Sequence, residues 1–114
     1  MENISLTALA REHLDKARAA NSGRSADTVY GGHGHSLRQT LIALTAEMDL
    51  HEHEAPEEAT LQVLQGRVRL DAGDTSWEGA AGDLVVIPQQ RHSLHAIEDS
   101  AVLLTVFQPL GANG

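Results

Sequence analysis

The sequence predicts an all-β domain, a closed or double-sheet barrel preceded by one α-helix. Three observations carry this. Short apolar runs recur between residues 37 and 107, each bounded by Gly, Pro, Asp or Glu-Asp turn signals. Several alternate apolar and polar residues, as half-buried strands do. Residues 50–66, LHEHEAPEEATLQVLQG, join a histidine-bearing segment to one such strand and end at a glycine. Closing the sheet also removes edges that would otherwise aggregate.

At 114 residues the chain forms one domain, with 41% apolar residues, enough for a hydrophobic core. There are no cysteines, which excludes disulfides, thiolate metal ligands and cysteine nucleophiles. Sixteen acidic residues against eight basic ones give a net charge of -8, and Lys16 is the only lysine. No basic patch for nucleic acid is present. No run reaches transmembrane length and no signal sequence opens the chain, so a cytoplasmic protein without membrane contact is expected. The expected division is a helix and linker over residues 1–23, a barrel over 24–110 and a flexible tail over 111–114.

Residues 4–20 place Leu6, Leu9, Ala10, Leu14 and Ala17 at helical spacing. Ser5 or Thr7 is the expected cap, and Asn21 with Gly23 the stop. Such a helix covers one open side of the sheet or a partner subunit, with His13 on its surface. A glycine-rich linker or edge segment over 21–34 includes a short strand over 26–30. Residues 37–47 read as a strand, because they leave no polar stripe wide enough for a surface helix. Further strands are expected over 59–64, 67–70, 76–78, 84–87, 91–97 and 101–107. Pro88 stops the fifth of the seven strands from residue 37 onward.

On a strand, the i, i+2 spacing sends His51 and His53 to one face. Such an imidazole pair suits a borderline metal if further donors exist. Glu57 or Glu58 and, beyond the Pro88 turn, His92 are the candidates. No nucleophile elbow, P-loop or dinucleotide fingerprint is present.

With both segments laid out, the chain resembles a small single-domain cupin over roughly residues 37–107. The first family motif is matched by His51, His53, Glu57 or Glu58, and Gly66; the second by Gly82, Pro88 and His92. The sequence departs from the pattern in three places. Ala59 stands at the usual glutamate position, the opening glycine of the first motif is missing, and Gln89-Gln90 follow the second-motif proline. The resemblance implies a double-stranded β-helix, or jelly-roll, barrel that forms a homodimer. It implies a divalent ion (iron, manganese, nickel, zinc or copper) on His51, His53 and His92, with Glu57 or Glu58 as ligand or base. Metal-dependent dioxygenation, isomerisation or decarboxylation of a small molecule would fit. The competing class is a metal-free binding or sensor barrel without catalysis.

Other residues carry weaker signals. Arg38 shares parity with Thr40 and Ile42, and would be a buried cation if that face is the interior. His33 and His35 either join the pocket or lie in a surface loop. Trp77 and Tyr30 fit a pocket or a dimer interface. Gln62 is expected on the outer sheet face, and His95 opposite to His92, at the surface or a subunit contact.

Overall fold

The computed structural model describes residues 1–53 and 58–110. Its elements are α1 (Leu6–Ala19), β1 (Arg24–Gly31), β2 (Leu37–Leu44), β3 (Asp49–His53), β4 (Glu58–Gln65), β5 (Arg67–Ala72), β6 (Thr75–Ala80), β7 (Leu84–Val86), β8 (His92–Ala96) and β9 (Ser100–Phe107). Among the described residues they form two antiparallel sheets. One has the order β1-β2-β9-β4-β7, the other β3-β8-β5-β6. The all-β expectation with one N-terminal helix holds. The expected tail over 111–114 lies outside the described residues.

Two cores explain the patterning. Leu44, Ala59, Leu61, Val63, Val68, Leu70, Leu94, Val102 and Val106 fill the space between the sheets. Ala10, Leu14 and Ala17 of α1 pack on Leu41, Ala43 and Ala101, on the outer face of the five-stranded sheet. β2 is therefore buried on both faces, which is why it lacks the polar alternation of a half-exposed strand. The small alanines on both sides let the helix approach the sheet closely.

Ser5 caps α1, its hydroxyl accepting from the Ala8 N–H at 3.2 Å. Lys16 and Arg18 occupy the last turn, where cations suit the helix dipole. His13 departs from its expected surface place. It is 5% exposed, shares a 2.6 Å hydrogen bond between Nδ1 and Ser25 Oγ, and has Nε2 3.8 Å from Asp27. The reason is geometric, since position 13 lies on the 10-14-17 stripe and β1 supplies polar partners for a buried imidazole.

Arg18 Nε donates to Asp99 at 2.8 Å, and the Ala46 N–H donates to the other carboxylate oxygen at 2.8 Å. Asp99 thus joins the end of α1 to the turn after β2. These bonds, Arg18 first and Ala46 next, hold its carboxyl below the ordinary carboxylate range. A depressed folded-state pKa gives stability that is complete above the unfolded value and lost as pH falls through the folded one. Urea midpoints should fall as the pH drops below about 4, and Asp99→Asn should flatten part of that decline. Equal slopes for the two proteins would contradict this link.

At the turn between β4 and β5 the chain passes from one sheet to the other through Gly66, at φ +84°. Buried Ser100 secures this corner: its hydroxyl accepts from the Arg67 N–H at 3.0 Å and lies 2.7 Å from the Glu98 carbonyl.

Candidate functional site

The interior holds a small cavity of about 30 Å³, lined by Ile42, Leu50, Leu61, Leu70, Ile87, His92, Leu94 and Leu104. His92 is the one polar residue among those described around it. It opens β8 directly after the Pro88 turn and is 4% exposed. Its Nδ1 lies 3.1 Å from the Gln90 carbonyl. A carbonyl oxygen only accepts, so Nδ1 carries the hydrogen and a neutral ring has its lone pair on Nε2. This is the outer-shell arrangement that orients a metal-binding imidazole.

β3 pairs with β8, and residue 53 stands opposite His92 in the ladder. The register also matches Leu50 to Leu94, so three steps on β3 oppose two on β8. This irregularity adds one residue to the β3 side, as a β-bulge does. The irregularity lies between residues 50 and 53 of β3. His51 is exposed. Among the described residues no three His, Asp or Glu side chains gather where an ion could be held.

Glu57 lies outside the described residues. Glu58 opens β4 and is exposed. It pairs with Phe107, and both line an outer groove of about 470 Å³ with Leu37, Thr60, Val86 and Thr105. Its neighbour Ala59 belongs to the inner core, so the position where the family pattern has glutamate presents only a methyl group to the interior. As acid or ligand for His92, Glu58 is on the wrong side of the strand.

The remaining candidates scatter. Arg38 is exposed, so the buried-cation expectation does not hold. His33 and His35 are exposed in the β1–β2 connection, with the His35 ring edge-on to Tyr30 at 5.6 Å between centroids. They stay apart from the interior cavity. Trp77 packs against the inner core from β6, its indole over Gly79, but does not line the cavity. Gln62 falls in the alternation opposite to Leu61 and Val63, as expected of an outer-face residue. His95 alternates with His92 and is held at Nδ1 by Asp49 (2.7 Å) and at Nε2 by Glu47 (3.4 Å). Glu47, at φ +72°, is the one non-glycine residue of positive φ among those described. Sequence reasoning missed this acid–histidine cluster because its members meet only through the β3–β8 pairing.

No family model matches the sequence, and no curated protein is significantly similar. Solved structures are similar in fold. A conserved protein of unknown function from Streptococcus pyogenes aligns at TM-score 0.70 and 23% identity, covering 79% of this chain and 78% of that one. A cupin superfamily protein from Desulfitobacterium hafniense aligns at TM-score 0.69 and 13% identity, over 75% and 78% of the two chains. An RmlC-like cupin from Desulfovibrio desulfuricans gives TM-score 0.65 and 22% identity, over 76% and 84%. With two antiparallel sheets, an apolar interior and these neighbours, the chain has a cupin-like fold.

Proposed function

We propose that this barrel binds a small molecule at one divalent ion held by His92 with His53 and His51. The observation that carries the reading is the buried His92 imidazole on the wall of the inner cavity, its Nδ1 held by the Gln90 carbonyl. The ladder position of residue 53 opposite His92 supports it. Glu58 lies on the outer face, which leaves Glu57 as the acid candidate of the pair. A bound ion would act as a Lewis acid on an oxygen-bearing ligand. The protein's part is to fix the imidazole tautomer and to keep the surroundings apolar.

Cobalt(II) reports this directly. Added cobalt should give saturable visible absorption bands, lost in His92→Ala and retained in His95→Ala. Bands that survive His92→Ala would sink the reading. A second reading, a metal-free binding barrel, is favoured by the exposure of His51 and the irregular β3 register. It predicts no saturable cobalt spectrum in the wild type.

The same reading includes a homodimer. α1 covers its own sheet, and the strongly exposed apolar residues on the rest of that face are Leu84 (57%) and Val86 (70%), beside Leu37 and Phe107. Clustered exposed apolar side chains mark association surfaces. Sedimentation should show a dimer that Val86→Lys converts to monomer; a monomeric wild type would contradict it.

No helix among the described residues is long and apolar enough to cross a membrane.

A further inference from the structure

A second space adjoins the interior. It is a groove of about 420 Å³, lined by Ser22, Arg24, Ser25, Ala26, Thr40, Ile42 and Leu50. Ile42 and Leu50 also line the 30 Å³ cavity at His92, so the partition between the two spaces is formed by these side chains. β1 and β3 are end strands of their respective sheets, so among the described residues no ladder hydrogen bonds close this seam. The size contrast assigns roles. The inner cavity has room for about two waters, whereas the groove lies within the range of small-molecule sites, about 300–1,000 Å³.

The lining chemistry is selective. Among the described residues it contains one cation, hydroxyl-bearing residues and apolar surface, and no carboxylate, in a chain of net charge -8. Arg18, Arg67 and Arg69 are paired with Asp99, Glu78 and Asp71. Arg24 has no ion-pair partner among the described residues. A guanidinium without a carboxylate partner is suited to bidentate capture of one from solution.

We propose that the seam groove is a binding site for a linear carboxylate with an apolar chain. The carboxylate meets Arg24, and the chain runs past Ala26 and Ile42, which are paired across the ladder, toward Thr40, with Leu50 lining the β3 side. This assignment rests on the reading of His92 as the interior's working group, yet the groove is tested separately.

The experiment is an amide NMR titration of the whole chain with octanoate, using octylammonium as the control of opposite charge. Octanoate should give saturable shifts centred on Ala26, Thr40, Ile42 and Leu50. Arg24→Glu should weaken it at least tenfold, Arg24→Gln less, and Arg11→Glu not at all. Ala26→Trp, which fills the groove, should abolish it, with circular dichroism confirming that each variant folds. Octylammonium should give no saturable shift there. Octanoate affinity unchanged by Arg24→Glu and Ala26→Trp, or shifts centred on Val86 and Phe107, would overturn the proposal. Cobalt spectra on the same samples separate the two ideas. A cobalt spectrum without octanoate binding overturns the groove and leaves the His92 reading standing. Octanoate binding without a cobalt spectrum supports the groove and removes the metal.

Discussion

Gly66→Ala should destabilise the protein by about 2–5 kcal/mol, combining left-handed backbone strain with overpacking. Gly66 stands at φ +84°, and an added Cβ would overlap the Asp99 carbonyl and the Ser100 hydroxyl. Backbone and a buried serine lie on that side, so there is no flexible side-chain end to move aside. Moving them would also break the Ser100 bonds that fasten the corner between the sheets. Gly82 is the internal control. Its φ is +96° but nothing lies within 4 Å of an added Cβ, so Gly82→Ala should cost only about 1–2 kcal/mol of backbone strain. Urea denaturation of both variants checks the difference. Equal losses would show that close approach at the corner is not what requires glycine at position 66.

Leu14→Ala should cost about 2–5 kcal/mol, the range for emptying a leucine site in a packed core. Leu14 is fully buried, and its neighbours Ala10, Ala17, Ala43 and Ala101 are too short to fill the space it leaves. The loss should concentrate at the seam between helix and sheet. Amides of α1 should exchange markedly faster with solvent, while the inner strands keep more of their protection. The His92 cavity is lined by the other core, so the cobalt response should persist in the folded fraction. A loss below 1 kcal/mol would mean that α1 contributes little by docking on the sheet.

The strands were legible because alternation and turn residues are local signals. Leu61 and Val63 against Gln62, and the glycines at 66, 73 and 82, announce their places without reference to the rest of the chain. The features that sequence reading missed depend on pairing. The β3 irregularity exists only against β8, so the spacing of His51 and His53 did not reveal it. Arg38 has the parity of an interior residue, but it lies near the start of β2, opposite the equally terminal Gly31 of β1, and is exposed. His13 occupied an apolar helical stripe, yet its residue type argued for the surface; Ser25 and Asp27, supplied by β1, made burial tolerable. In the candidate site, His92 and its proline turn were visible in the sequence, whereas its anchoring on Gln90 and the outward placement of Glu58 were not.

The central claim is that His92 holds a metal, and elemental analysis by plasma mass spectrometry on untagged protein tests it most directly. Near one divalent ion per chain in the wild type, lost in His92→Ala, is the result this account predicts. Wild-type protein that stays metal-free after incubation with excess iron, manganese, nickel or zinc would contradict it.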